Sequence, residues 1–213
     1  MALTKICFFG ASTTEGLGDE ARLGWPGRLL ADSAANRSDV VSYNLGVRGQ
    51  TTMMMKARFE AECKARLTAD ARNIIFISFG LNDVAEVGGI PRMPRHRTLK
   101  NVEEIISQAL DITENILWMG AAPTRADMMP ITYDNGNVFR FSNDVISTLN
   151  DEYCDIAIKH NIPYLDIFNP LMQGPDYMQS LAAMDGLHPN GNGYQQIADL
   201  ISNWDAWQDV LKS

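Results

Sequence analysis

Apolar residues recur along this chain in two alternating patterns. Short apolar runs are typical of strands buried in a sheet, and the segments predicted as strands are residues 6–9, 40–44, 73–79, 115–119 and 162–168. Between them, apolar residues three and four positions apart predict helices, at about residues 26–35, 53–67, 102–110, 138–160 and from 193 onwards. Because strands and helices alternate, the pattern indicates an α/β fold with a mostly parallel sheet between helices.

Two segments show neither pattern. Residues 88–97 contain two prolines and three arginines, which predicts a surface loop whose arginines are either solvated or bind an anionic group. Residues 124–137 form a long irregular segment, and such segments in compact domains often serve a function. Within it, Met128, Met129 and Tyr133 are candidates for lining an acyl pocket, the alternative being that they only pack the loop.

Length and charge narrow the range of functions. The 213 residues suit one domain spanning positions 1–213. The net charge of -8 argues against nucleic acid or an anionic membrane as the main partner, and it leaves the oligomeric state open. No apolar run approaches the roughly 18 residues of a membrane helix, and no signal-peptide pattern precedes the first strand, so we expect a cytoplasmic location.

Small and polar residues follow three of the predicted strands. Ser12 follows the first strand, Gly46 the second and Asn82 the third, while Asp185 and His188 lie just before the last helix. In an open α/β sheet, ligands bind beyond the carboxyl ends of the strands. We therefore expect these residues to meet at one edge of the sheet.

Together these side chains could carry out acyl transfer. Ser12 would attack a carbonyl group, His188 would take the serine proton, and Asp185 would orient the imidazole. Candidate donors to the resulting oxyanion are the backbone N–H groups of Ser12 and Gly46 and the side-chain amide of Asn82.

Each of these residues also has a purely structural interpretation. Residues 12–15, Ser-Thr-Thr-Glu, match a capping box at the start of a helix. Gly46 is compatible with a tight turn, and Asn82 with a turn residue bonded to its own backbone. No single segment decides between the interpretations, whereas their combination and order favour the catalytic one.

Four blocks in this order carry a family resemblance. They are Gly10-Ala11-Ser12, Asn44-Leu45-Gly46-Val47-Arg48-Gly49, Gly80-Leu81-Asn82-Asp83 and Asp185-Gly186-Leu187-His188-Pro189. The chain thereby resembles the SGNH (GDSL-type) hydrolase superfamily. The resemblance implies a flavodoxin-like three-layer α/β/α sandwich with a central five-stranded sheet, and hydrolysis of esters or thioesters with neither cofactor nor metal. It also implies the roles given above: Ser12 as nucleophile, Gly46 and Asn82 as oxyanion donors, and Asp185 and His188 completing a triad.

Ala11 departs from the superfamily pattern, which usually has aspartate between the glycine and the serine. The missing hydrogen bonds affect how the serine turn is held more than the class of reaction. We expect a serine esterase acting on a small or medium acyl ester, a small-molecule substrate. Two alternatives stay open, namely an acyltransferase using the same site and a non-catalytic ligand-binding module on this fold.

Overall fold

The computed structural model describes residues 3–34, 37–133 and 136–212. The strands in these ranges are β1 (Thr4–Gly10), β2 (Val40–Gly46), β3 (Arg72–Ser78), β4 (Glu86–Val87), β5 (Ile90–Pro91), β6 (Ile116–Met119), β7 (Ile131–Thr132), β8 (Val138–Phe139) and β9 (Tyr164–Leu165). The α-helices in the same ranges are α1 (Ser12–Glu15), α2 (Gly24–Ser33), α3 (Thr52–Arg66), α4 (Leu81–Val84), α5 (Arg95–Leu110), α6 (Asn143–Lys159), α7 (Phe168–Gln173), α8 (Pro175–Ala182), α9 (Gly191–Ser202) and α10 (Asp205–Lys212). None of these helices is long and apolar enough to cross a membrane.

Five strands form one parallel sheet in the order β2-β1-β3-β6-β9. This is the strand order of flavodoxin-like doubly wound folds, in which the direction of strand addition reverses beside the first strand. The predicted five-stranded sheet is therefore confirmed. The other strands form two short antiparallel hairpins, β4-β5 and β7-β8.

The side chains of β1 explain why the sheet is covered on both faces. Successive residues of a strand point to opposite faces. Cys7 and Phe9 belong to the apolar layer that includes residues of α3, α5 and α6, whereas Ile6 and Phe8 pack with residues of α2, α8 and α9. All four side chains are fully or almost fully buried. The uninterrupted apolar sequence of β1 thus reflects a central strand of a three-layer sandwich.

Two segments near the carboxyl edge of the sheet differ from the sequence pattern. The predicted loop 88–97 contains strand β5, and its last three residues are the first turn of α5. The helix predicted from Val138 begins instead at Asn143, because Val138 and Phe139 pair with β7. The end of the helix predicted over residues 26–35 lies outside the described residues, and helices α7 and α8 have no predicted counterpart. The helix predicted from residue 193 onwards is divided into α9 and α10.

Candidate active site

Three neighbouring strands end at the same level of the sheet. Gly10, the last residue of β1, is aligned with Gly46 at the end of β2 and with Ser78 at the end of β3. Ser12 lies two residues beyond β1, and Asn82 lies four residues beyond β3. The parallel register therefore brings the first three sequence blocks to one edge.

Ser12 is the first residue of the one-turn helix α1, which is closed by backbone hydrogen bonds and held beside β2 by a bond from Asn44 Nδ2 to the Thr14 carbonyl. The N–H of Glu15 donates to the Ala11 carbonyl at 2.9 Å, and the Ser12 carbonyl accepts the next two N–H groups at 3.0 Å each. A Cβ on Gly10 would lie only 1.8 Å from Thr14 Oγ1, so a side chain there would displace the helix. No side chain caps the turn at Ala11. Backbone geometry thus positions Ser12, although Ala11 stands where the superfamily usually has aspartate.

The loop between α8 and α9 positions the histidine. Asp185 Oδ1 accepts the backbone N–H groups of Leu187 at 3.0 Å and of His188 at 2.8 Å, which forms a tight Asx turn. Gly186 within it has φ of +83°, and a Cβ there would lie 2.8 Å from Met128 Cβ. The turn therefore requires glycine at 186 for both its backbone angle and its space.

Ser12, His188 and Asp185 form one chain of hydrogen bonds. His188 Nε2 lies 2.8 Å from Ser12 Oγ, and His188 Nδ1 lies 2.7 Å from Asp185 Oδ2. An ionised carboxylate can only accept, so Nδ1 carries a proton and Nε2 is left to accept the Ser12 hydroxyl. Ser12 and His188 are both buried, at 8% and 3% exposure. Residues 176 positions apart thus adopt the arrangement that serine activation needs.

The charge of Asp185 follows from its surroundings. Burial raises the pKa of this carboxyl. The hydrogen bonds and charge of His188 and the N–H of Leu187 lower the pKa by more than burial raises it, so the pKa lies below its usual value. Asp185 is consequently ionised at neutral pH. It can stabilise a positive charge on the His188 imidazole.

Asn82 presents its amide beside Ser12. Its Nδ2 donates to the Gln50 carbonyl at 3.1 Å, and its Oδ1 lies 3.4 Å from Arg92 Nη1. These two contacts distinguish the nitrogen of the amide from its oxygen. In the described part of the chain, the second Nδ2 hydrogen has no acceptor, and it is available to a ligand.

Asp83, the neighbour of Asn82, has a structural role. Its fully buried carboxylate accepts the Thr52 N–H at 2.9 Å and the hydroxyls of Thr52 and Thr98 at 2.5 and 3.1 Å. Burial raises the pKa of this carboxyl, although these bonds act in the opposite direction. Asp83 thus ties α4, which carries Asn82, to α3 and α5.

The structure does not bring the Gly46 N–H to the cleft. This N–H donates to Asn44 Oδ1 at 3.0 Å, and Gly46 lines neither of the cavities beside Ser12. Gly46 instead allows β2 to approach α1, since a Cβ would lie 2.2 Å from the Glu15 nitrogen. Its requirement for glycine is one of packing.

Gly49, three residues further on, lies in the cleft. It lines the larger cavity with Ser12, Asn82 and His188, and its N–H donates to no group among the residues described. Its φ of +68° favours glycine. The sequence does not single out Gly49, because the second block contains two glycines and only the path of the backbone distinguishes them.

A family model matches most of the chain. The model of the GDSL-like Lipase/Acylhydrolase family matches residues 8–196. The chain belongs to this family. The matched range contains Ser12, Asn82, Asp185 and His188, and the resemblance read from the sequence is confirmed. No curated protein matches the sequence significantly.

Solved structures of a lipase/acylhydrolase and of two esterases share the fold. The lipase/acylhydrolase from Enterococcus faecalis is 23% identical with a TM-score of 0.71, and the match covers 94% of each chain. The psychrotrophic esterase EstA from Pseudoalteromonas sp. is 18% identical, with a TM-score of 0.68 over 98% of this chain and 99% of that one. The family 3 carbohydrate esterase of Clostridium thermocellum is 16% identical, with a TM-score of 0.67 over 98% of both.

Two cavities flank Ser12 in this GDSL-like protein. The smaller has a volume of about 30 Å³ and is mainly apolar, with walls that include Phe79, Leu81, Met119, Ala121, Ala122 and Ile167. The larger has a volume of about 340 Å³, and its lining includes Arg48, Gly49, Arg92, Tyr133, Phe139 and His188. Ser12 and Asn82 border both cavities. Both cavities thus adjoin the Ser12 side chain.

The three candidates for an acyl pocket have different positions. Tyr133 lines the larger cavity, and burial together with the charge of Asp185 raises the pKa of its hydroxyl. Met128 packs on Gly186, and Met129 lies against a small apolar cluster that includes Ile131. Neither methionine lines a cavity beside Ser12. Within the described ranges, no group of three His, Cys, Asp or Glu side chains could hold a metal ion.

Proposed function

We propose that this protein is a serine esterase that cleaves small acyl esters, or the corresponding thioesters, through an acyl-enzyme on Ser12. The observation that carries the proposal is the hydrogen-bonded chain from Ser12 Oγ through His188 to Asp185. A serine that only caps a helix does not need a buried imidazole 2.8 Å from its hydroxyl. Membership of a lipase/acylhydrolase family supports the same reaction class.

The first half of the reaction forms the acyl-enzyme. Ser12 Oγ attacks the carbonyl carbon while His188 Nε2 takes the hydroxyl proton, and the carbonyl π electrons move onto oxygen. Asp185 stabilises the imidazolium that results. Collapse of the tetrahedral intermediate re-forms the carbonyl and breaks the bond to the alcohol oxygen, which takes the proton from Nε2.

The second half releases the acid. A water molecule gives a proton to His188 Nε2 and attacks the acyl carbon, which again places two electrons on the carbonyl oxygen. Collapse breaks the bond to Ser12 Oγ, and the proton on Nε2 returns to the serine. The chain needs no further reagent for either half.

Three N–H donors would stabilise the oxyanion of both intermediates. They are the backbone N–H of Ser12, the second Nδ2 hydrogen of Asn82, and the N–H of Gly49, which replaces Gly46 in this role. Neither backbone N–H has an acceptor in the described part of the chain. Such preorganised donors act mainly on the transition state.

Asn82→Ala is expected to lower kcat for p-nitrophenyl acetate on the order of 10²–10³-fold, because one oxyanion donor is lost. KM should change little, since the ground-state carbonyl carries less charge than the oxyanion. Steady-state kinetics separate the two parameters. As a matched control, Asn169→Ala removes an exposed asparagine whose Nδ2 contacts Asp166, and it should leave both unchanged. A loss confined to KM in Asn82→Ala would count against the donor role.

The size of the smaller cavity favours a short acyl group. A water molecule needs about 10–15 Å³ of such space, so about 30 Å³ suits the methyl of an acetyl group. We expect kcat/KM to fall from p-nitrophenyl acetate to the octanoate by at least about tenfold, the cost of methylenes that do not fit a pocket of this size. A panel of p-nitrophenyl esters of increasing chain length measures this.

Leu81→Ala provides the matched variant for this panel. Leu81 is half-buried and forms one wall of the smaller cavity, so shortening it enlarges the cavity with a moderate loss of stability. The ratio of butyrate to acetate turnover should rise. If the native protein prefers octanoate, the acyl group lies elsewhere.

Acyl transfer to an alcohol other than water would use the same residues. Product analysis with a small alcohol added to the assay distinguishes transfer from hydrolysis, because the acyl group then appears as a new ester. The cytoplasmic location stays a prediction from the sequence.

A further inference from the structure

Arg92 contacts Gly49 and Asn82, the two residues other than Ser12 that we propose as oxyanion donors. Its Nη2 donates to the Gly49 carbonyl at 2.9 Å, and its Nη1 lies 3.4 Å from Asn82 Oδ1. The guanidinium also lies over the Phe139 ring, 5.7 Å from its centroid. Arg92 follows the hairpin strand β5, and it lines the larger cavity together with Ser12 and His188.

These contacts orient the donors. Arginine has only N–H donors, so the Asn82 atom that faces it must be the amide oxygen. With that oxygen held by Arg92 and one Nδ2 hydrogen held by the Gln50 carbonyl, the amide cannot rotate by half a turn without losing both contacts. The bond to the Gly49 carbonyl likewise anchors the residue whose backbone has φ of +68°.

Arg92 has no ion-pair partner in the part of the chain that the structure describes. Within residues 3–34, 37–133 and 136–212, no carboxylate oxygen lies within 4.0 Å of the Arg92 guanidinium, unlike Arg48, which pairs with Glu15. The charge of Arg92 interacts with that of Asp83, but Asp83 is buried and bound by two threonines. A fixed cation behind neutral donors stabilises negative charge that develops in front of them.

We propose that Arg92 is a positioning residue, which orients the oxyanion donors Gly49 and Asn82 and polarises the Asn82 amide for the esterase reaction. This inference rests on the proposed function. Arg92 acts through the two donors and does not need to touch the ester.

Arg92→Ala is expected to lower kcat for p-nitrophenyl acetate on the order of 10–10²-fold, while KM changes less than about twofold. The substrate is neutral, so a loss of kcat cannot come from failure to bind a charged group. Arg92→Lys keeps the charge but not the fork of donors. Its kcat should lie between that of the native protein and that of Arg92→Ala. Thermal unfolding of each variant checks that the protein is folded.

Two further measurements separate positioning from a structural effect. Guanidinium chloride at low millimolar concentration should restore part of the kcat of Arg92→Ala, because the free cation can occupy the space left by the side chain. It should not stimulate the native protein or Arg95→Ala, whose arginine pairs with Glu152 on the surface. In an Asn82→Ala background, Arg92→Ala should cost less than in the native background, since one of its two acceptors is gone.

An unchanged kcat in a folded Arg92→Ala, or an effect on KM alone, would overturn the inference. So would additive effects of Arg92→Ala and Asn82→Ala together with a kcat that guanidinium does not restore. Failure of the proposed function has a different signature. In that case the native protein has no activity that Ser12→Ala removes, whereas failure of this inference leaves that activity intact and insensitive to Arg92.

Discussion

Ser12→Ala is expected to reduce hydrolysis of p-nitrophenyl acetate to the background rate, a loss on the order of 10⁶ in kcat for a triad whose members act as a unit. The substitution removes the attacking oxygen and the partner of His188 Nε2. It removes no backbone contact of α1, whose hydrogen bonds use the carbonyls of Ala11 and Ser12. Stability should therefore change little, and circular dichroism with thermal unfolding can confirm it.

The matched control for Ser12 is Ser42→Ala. Ser42 is an exposed serine on β2, where it pairs with Ile6 of β1. Its replacement should leave kcat and KM at their native values. Equal activity of the native protein and Ser12→Ala would show that another residue hydrolyses the ester.

Asp185→Asn has the second largest expected effect, a loss of about 10⁴ in kcat. Asp185 Oδ1 accepts two backbone N–H groups, from Leu187 and His188. An asparagine that keeps these bonds must turn its NH₂ toward His188 Nδ1. The imidazole would then carry its proton on Nε2, where it cannot accept the proton of Ser12.

Steady-state kinetics of Asp185→Asn test this reasoning, with Asp176→Asn as a control. Asp176 lies in the first turn of α8, away from the hydrogen-bonded chain of Ser12. The control should retain native kinetics. Native kcat in Asp185→Asn would show that His188 does not depend on a negative charge at Nδ1.

The sheet and the Ser12–His188–Asp185 arrangement could both be predicted from the sequence, and the physical reasons are related. Each apolar run of the central strands must be covered on two faces, which permits few arrangements other than a layered α/β fold. In such a fold, parallel strands end at one edge, so residues that follow β1 and β3 have to be neighbours. The contact between Asp185 and His188 can be predicted from their spacing alone, since one Asx turn holds both residues.

The residues that we propose as oxyanion donors could be predicted only in part. Gly46 and Gly49 are both glycines in one block, and which N–H reaches the cleft depends on the path of the chain after β2. Asn44 occupies the N–H of Gly46, a contact that no periodicity reveals. Asn82 gives a clearer signal because a polar residue follows a fully apolar strand.

The walls of the cleft were the least predictable part. Arg92 belongs to a segment without periodicity, and its contacts with Gly49 and Asn82 depend on a hairpin of two-residue strands. Met128 and Tyr133 lie in one irregular segment, yet only Tyr133 reaches the larger cavity. Tertiary packing decides these positions, and a single sequence contains little trace of it.

The most direct test of the central claim is covalent labelling with a fluorophosphonate, followed by mass spectrometry of the proteolytic peptides. An activated serine attacks phosphorus and displaces fluoride, whereas a serine that only caps a helix does not. We expect stoichiometric labelling of the native protein on Ser12, and much slower labelling of Asp185→Asn. Absence of labelling in the native protein, or labelling on another residue, would contradict the assignment of Ser12 as the nucleophile and favour a non-catalytic binding module.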